Sequence, residues 1–269
     1  MGADVKSLRD KVAIVTGGGS GIGRATALSL ARRDTAVVVA DINADRASSV
    51  ADEIQADGGR SAGVVCDVAD GDAFERLRDL VLREFGRVDI VMNNVGVLTR
   101  GLPEHLPLSE WQRIIDINLM SYVRSNLVFL PLLLEQGSGH IVNTASFAGL
   151  FTYSYDRLPY AVSKAGVIQL SEGLRLYLAP RGIGVTVLCP GPVITNIIES
   201  LPPPFGPEPE MRGPGEQFGL LTPDEVGERV VEAILEDSFM VYTHPEVRDV
   251  LVDRASDWNA FIDERAREA

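Results

Sequence analysis

The chain of 269 residues is 45% hydrophobic and 23% charged, the balance of an ordinary globular protein, with length for one large domain or two small ones. Its 25 basic and 38 acidic side chains leave a formal net charge of −13, which argues against nucleic acid or an anionic membrane as a partner. Cys66 and Cys189 both end apolar runs and read as small core residues in a reducing compartment, neither a disulfide framework nor a metal site.

No long apolar segment precedes the first strand-like run, so no secretory signal is expected. The Met-Gly start has Lys6 where a myristoylation signal needs Ser or Thr. No run of 18 apolar residues occurs, and we expect a cytoplasmic protein that spans no membrane.

Short apolar, β-branched runs at 12–16, 36–40, 62–66, 88–92, 139–143 and 183–189 alternate with longer amphipathic stretches, and 239–243 reads as a seventh strand. Near-continuous apolar runs are the pattern of parallel strands covered on both faces. The intervening stretches predict helices near 21–33, 44–57, 71–86, 108–135, 160–180 and 223–237. Strict alternation over the whole length predicts a single doubly wound α/β domain with a parallel sheet of about seven strands. The Pro- and Gly-rich stretch 199–223 is too long for a simple connector and reads as a substrate lid, from about 196 to 222, or as disorder. A helical tail follows from about 245, with Val250, Leu251, Trp258, Phe261 and Ile262 as its apolar positions.

The stretch TGGGSGIGRA (16–25) leaves the first strand and opens the first helix. It fits neither G-x-G-x-x-G nor a P-loop, since Arg24 stands where the latter needs Lys. It does fit Gly17-x-x-x-Gly21-x-Gly23. Glycines there let a backbone approach a pyrophosphate whose charge sits at the helix's positive end, or simply allow tight packing. Asp41 ends the second strand 18 positions after Gly23, near the spacing at which a carboxylate accepts bonds from an adenosine ribose. The plainer alternative for Asp41 is a cap for the next helix.

Tyr160 and Lys164 stand four residues apart behind Pro159, on one face of a helix's first turn. An exposed pair would be the bland explanation. The sharper one is acid–base chemistry: a free phenol titrates near ~10, and lowering it by about three units takes roughly 4 kcal/mol of preferential phenolate stabilisation. Lys164, one turn away, is expected to contribute to that. No other tyrosine has a lysine four residues on along an unbroken helix.

The glycine loop, Tyr160 and Lys164 together resemble the short-chain dehydrogenase/reductase family over nearly the whole chain. TGxxxGxG appears as Thr16–Gly23, and the acidic site after the third strand as Asp67-Val68. NNAG appears as Asn93–Gly96, with Val95 in place of alanine keeping an apolar wall. The family's helix asparagine falls on Asn118, its serine on Ser146, 14 residues before Tyr160, and its PG motif on Pro190-Gly191 followed by Thr195.

The resemblance implies a nicotinamide dinucleotide held by Gly17, Ser20, Gly21, Ile22, Gly23, Asp41, Asp67, Val68, Asn94, Gly96, Tyr160, Lys164, Pro190, Gly191, Val193 and Thr195. NAD is expected over NADP, because Asp41 repels an extra phosphate and Ser20, Ile42 and Asn43 bring no cation; Arg24 and Arg46 are expected to point elsewhere. It further implies that Tyr160 moves the hydroxyl proton, Ser146 binds the substrate oxygen, Lys164 holds the nicotinamide ribose and Asn118 holds a water near Lys164. Without the family spacing, Ser146 would be a turn cap and Asn118 a buried partner for backbone.

Apolar loop residues, namely Leu98, Phe147, Leu150, Tyr153, Phe205, Met211 and Phe218, predict a largely apolar small-molecule substrate, a secondary alcohol or its ketone, with Ser146, Phe147, Tyr160 and Phe205 as contacts. His105, His140 and His244 have no ligand spacing and read as structural, so no metal is expected. A homotetramer, or at least a dimer, is implied. The rival function from another class is a dinucleotide sensor without catalysis, which would have no need of Ser146, Tyr160 and Lys164 together.

Overall fold

The computed structural model describes residues 7–195, 197, 201–210 and 212–268. Among these, seven parallel strands form one sheet: β1 Val12–Thr16, β2 Ala36–Asp41, β3 Ser61–Val65, β4 Ile90–Asn93, β5 Gly139–Thr144, β6 Ile183–Cys189 and β7 Met240–Tyr242. Their order is β3-β2-β1-β4-β5-β6-β7. Strands β1, β2, β4, β5 and β6 are buried along their whole length, as their unbroken apolar runs require. β3 and β7, at the edges, are only partly covered.

Helices α1 Gly21–Ala31, α2 Ala44–Ala56, α3 Ala73–Phe85, α4 Leu108–Ile115, α5 Ser121–Gln136, the short α6 Phe147–Leu150, α7 Leu158–Leu178 and α8 Pro223–Glu236 cover the two faces. Two more, α9 Val247–Ser256 and α10 Trp258–Glu268, end the chain. One apolar layer joins β1, β2, α1, α2 and α8 through Ala13, Val15, Val37, Val39, Leu30 and Val230. The opposite layer sets Ile14, Val38 and Val91 against Phe74, Leu77 and Phe129 of α3 and α5. Strand order reverses between β1, which continues to β2, and β4, so a crevice opens at their C-terminal ends.

The helix expected over 108–135 is continuous but not uniform. Asp116–Met120 widens into a π-turn between α4 and α5, with Asn118 buried at its centre. By length and composition this 29-residue stretch would suffice to cross a membrane. Its buried residues Ile114, Tyr122, Phe129 and Leu133 pack into the protein's own core.

His140 on β5 is fully buried, with Nε2 2.8 Å from Thr186 Oγ1, and burial lowers its pKa from 6.5 to about 4. The unfolded chain therefore binds a proton that the folded one refuses between those values. Stability from this site is complete above pH 6.5 and is lost as pH falls towards 4, by about 3 kcal/mol in full. Urea midpoints at pH 7 and 5 are expected to differ less in His140→Gln than in the wild type; an unchanged difference would contradict this.

Candidate active site

Thr16 ends β1 with its hydroxyl donating to Met92 O at 3.1 Å and accepting from Asn94 N at 3.0 Å, which locks β1 to β4 at the crevice floor. The chain then turns through Gly17 at φ +61° and Gly21 at φ +51°, left-handed values that suit glycine. Gly23 lies in α1, where a Cβ would stand 2.2 Å from Gly17 O, so it allows the loop to fold onto its helix and does not line the cavity. Every other residue in the expected dinucleotide set, Gly17 through Thr195, lines one cavity of about 380 Å³.

Two observations fit a dinucleotide to this cavity. Ser20 precedes α1 but makes no side-chain cap bond, so the first-turn amides keep their donors for an anion. A Cβ on Gly96 would come within 3.1 Å of Lys164 Nζ, so only glycine leaves open backbone beside the ammonium.

Asp41 is 8% exposed. Its Oδ2 accepts from Gly19 N at 3.0 Å and its Oδ1 from Asn43 N at 2.9 Å. It does not cap α2; Asn43 does, accepting from Arg46 N at 3.0 Å. Two backbone bonds fix the carboxylate and leave further lone pairs facing the cavity. Arg46 corrects the expectation that no cation stands near. It lines the cavity, and a Cβ on Gly19 would meet Arg46 Cβ at 2.7 Å and Asp41 Oδ2 at 2.8 Å. The helix turn that carries Arg46 folds back over the glycine loop. Arg24 is committed elsewhere, to Glu53 at 2.6 Å.

At the other end α7 begins with Leu158-Pro159, and its first turns bury Tyr160 and Lys164, so this is no surface pair. Lys164 Nζ donates to Thr144 O at 2.7 Å, lies 3.5 Å from Tyr122 Oη and stands 5.8 Å from the Tyr160 ring centre. Burial lowers Lys164 to about 7. Burial likewise pushes the Tyr160 phenol up to about 12, with a hydrogen bond from Ser146 pulling the other way. The expected lowering by Lys164 is thus absent from the protein's own groups. The Lys164 amine is itself desolvated and is turned to the Thr144 carbonyl.

Ser146 ends the connection after β5, lines the cavity and also accepts from Ala148 N at 3.2 Å, so it caps the turn of α6 as well. Asn118 stands behind the cavity wall. Its Oδ1 accepts from Val97 N at 2.8 Å, and its Nδ2 donates to Val97 O at 2.9 Å and to Ser163 Oγ at 3.2 Å. Its side chain is thus spent on backbone and Ser163, the plainer alternative, and it shapes the loop through Val97.

Sequence reasoning missed Tyr122. Its hydroxyl lies 3.1 Å from Val95 O and 3.0 Å from Thr144 O, tying both cavity walls to the helix beneath Lys164. Its position four residues after Asn118, on the same helix face, was the available signal.

The apolar substrate wall needs correction. Phe147 is 1% exposed, and its ring packs against Phe151, Phe218 and His244 at 6.3, 5.2 and 5.8 Å. Phe147 and Phe218 therefore fill the core, because α6 turns the residue after Ser146 inward. Leu98 and Tyr153 do pack around Tyr160 and Ala161. Met211 lies outside the described residues.

The described residues of the strap, 201–210 and 212–222, include no helix. Phe205 pairs with Gly101, and Val193 with Leu221. Arg100 reaches Glu208 at 2.5 Å and stands 3.5 Å from the fully buried Asp156, which also takes Arg157 Nε at 2.8 Å. Arg100 thus holds the strap by an ion pair near where Phe205 crosses, and Arg157 donates to Arg212 O at 3.4 Å. Among the described residues no cluster of His, Cys, Asp and Glu is arranged to hold a metal ion.

A parallel sheet with its glycine loop at the switch point, and a buried Ser-Tyr-Lys constellation beside it, defines a dinucleotide-dependent oxidoreductase class. The family model for short chain dehydrogenases matches residues 11–204. The chain is 34% identical over 253 residues to 1-deoxy-11-beta-hydroxypentalenate dehydrogenase of Streptomyces exfoliatus, covering 93% of this chain and 89% of that one. It is 35% identical over 233 residues to cyclohexanol dehydrogenase of Acinetobacter sp. (strain SE19), covering 86% and 90%. A solved short chain dehydrogenase/reductase of Burkholderia phymatum, in complex with NAD, superposes with a TM-score of 0.83 at 31% identity, over 94% of this chain and 96% of that one. The chain belongs to the short-chain dehydrogenase/reductase family of oxidoreductases, which use NAD or NADP.

Proposed function

We propose that this protein is an NAD-dependent dehydrogenase that interconverts a secondary alcohol and its ketone on a largely apolar, ring-bearing substrate. The observation that carries the reading is the buried convergence of Ser146, Tyr160 and Lys164 on the cavity that the glycine loop also lines. NAD, when bound, supplies the hydride acceptor and a positive charge beside the phenol. Tyr160 takes the hydroxyl proton in oxidation and returns it in reduction. Ser146 would hydrogen-bond the substrate oxygen as charge develops there, and Lys164 would help to hold the cofactor's ribose hydroxyls. Leu98 and Tyr153 beside Tyr160 support an apolar substrate, and two relatives are by name dehydrogenases of cyclohexanol and of 1-deoxy-11-beta-hydroxypentalenate. Adding NAD with a panel of cyclic, aryl and alkyl secondary alcohols and following absorbance at about 340 nm tests it. Rate only with phosphorylated or carrier-bound substrates would contradict the substrate class; cofactor binding with no turnover on any alcohol would favour the sensor.

Assembly is proposed to be at least dimeric, and tetrameric in full. Leu108, Leu127 and Leu176 on α4, α5 and α7 are 72%, 72% and 81% exposed, large apolar side chains on the helices expected to meet a second copy. Light scattering at micromolar concentration is expected to show a multiple of 29.1 kDa; a lone 29.1 kDa species would contradict this.

A further inference from the structure

β7 runs parallel to β6 with Tyr242 opposite Cys189, so Thr243 and His244 emerge beside Pro190 and Gly191, a wall of the cavity. Gly191 N donates to Thr243 Oγ1 at 2.8 Å. Thr243 Oγ1 lies 2.9 Å from His244 Nδ1, and His244 Nε2 lies 2.7 Å from Gly219 O in the strap. One proton arrangement satisfies every group. An amide can only donate and a carbonyl can only accept, so Thr243 donates its hydroxyl hydrogen bond to Nδ1 and the ring carries its own hydrogen on Nε2, donated to Gly219 O. The tautomer is assigned from this network, in which each bond polarises the next.

The ring has little freedom. His244 is 6% exposed, and its centre lies 5.8 Å from that of Phe147 and 5.7 Å from that of Phe218. A Cβ on Gly191 would come within 2.7 Å of both His244 Nδ1 and Phe147 Cε2. Phe147 directly follows Ser146. Two residues beyond Gly219, Leu221 pairs its backbone with Pro192 O at 3.1 Å and Ile194 N at 2.9 Å, where the strap is rooted. One imidazole therefore touches the cavity wall, the strap root and the turn bearing Ser146.

We propose that His244, oriented by Thr243, is a positioning residue that couples the strap to the Pro190–Gly191 wall, so that neither moves without the other. This rests on the dehydrogenase reading for its consequence in catalysis, but not for the coupling itself. Thr243→Val keeps the shape and removes both the acceptor for Gly191 and the donor to His244; Thr243→Ser keeps both. Amide hydrogen exchange in the full-length protein without cofactor, with NAD affinity by calorimetry, reads the effect without any substrate. Thr243→Val is expected to raise exchange at least about tenfold at residues 189–193 and at 217–222 together, and to weaken NAD about threefold or more. Thr243→Ser should remain near the wild type on both. Should Thr243→Val fail to fold, His244→Asn, which keeps a polar atom near Thr243 but cannot reach Gly219, is expected to release both segments together. Faster exchange in one segment alone, or equal damage from Thr243→Ser, would overturn the coupling. A chain that showed the paired release yet oxidised no alcohol would instead contradict the dehydrogenase reading.

Discussion

Tyr160→Phe is expected to lower turnover at least a hundredfold while NAD affinity changes little. The substitution keeps the ring that packs against Ala148 and Ala161 and removes the hydroxyl alone. General acid–base catalysis contributes roughly 10²–10⁴ in rate, so a hundredfold loss corresponds to about 2.7 kcal/mol of transition-state stabilisation. The direction of the pKa shift adds a second readout. With burial holding the phenol at about 12, it stays protonated at neutral pH, the form that ketone reduction uses. Alcohol oxidation needs the phenolate, so it should accelerate as pH rises above neutrality, whereas reduction should not. The rise of oxidation with pH should vanish in Tyr160→Phe. Turnover and pH profile unchanged from wild type would remove Tyr160 from the chemistry.

NAD is expected to exceed NADP by at least tenfold in kcat/KM, a gap of about 1.4 kcal/mol. Two charges compete at that end of the cavity. Asp41 is 8% exposed and pinned by two backbone amides, so its repulsion of a ribose phosphate is poorly screened. Arg46 is exposed, and its attraction is weakened by solvent and by side-chain freedom. The fixed carboxylate should win. Asp41→Ala is expected to narrow the gap by admitting NADP, and Arg46→Ala in that background should take back much of what was gained. Equal efficiency with both cofactors in the unmodified enzyme would contradict this assignment of Asp41.

The parts of the molecule legible in sequence are those written locally. β-branched runs such as AVVVA and IGVTVLC are buried on both faces because helices cover both, and composition alone reports that. Tyr160 and Lys164 share a helical turn, and Gly17, Gly21 and Gly23 a loop, so spacing along the chain is also spacing in space. Contacts between distant segments were not legible. Arg46 reaches the cavity only because α2 packs back over the glycine loop, and His244 meets Gly191 only because β7 lies beside β6. As an apolar residue in a loop near the site, Phe147 reads in sequence as a substrate contact, yet one turn of helix sends it into the core. Tyr160's elevated pKa could not be read either, because burial depends on the whole fold around the phenol.

Direct hydride transfer is tested most simply with a cyclic secondary alcohol deuterated at the carbinol carbon, incubated with the purified protein and NAD. With whichever cyclic secondary alcohol the panel shows to be oxidised, deuterated in the same way, mass spectrometry of the NADH formed is predicted to find deuterium on the nicotinamide ring, with the matching ketone as the co-product. NADH without the label, or no NADH under conditions where NAD is bound and ring alcohols are saturating, would contradict the account.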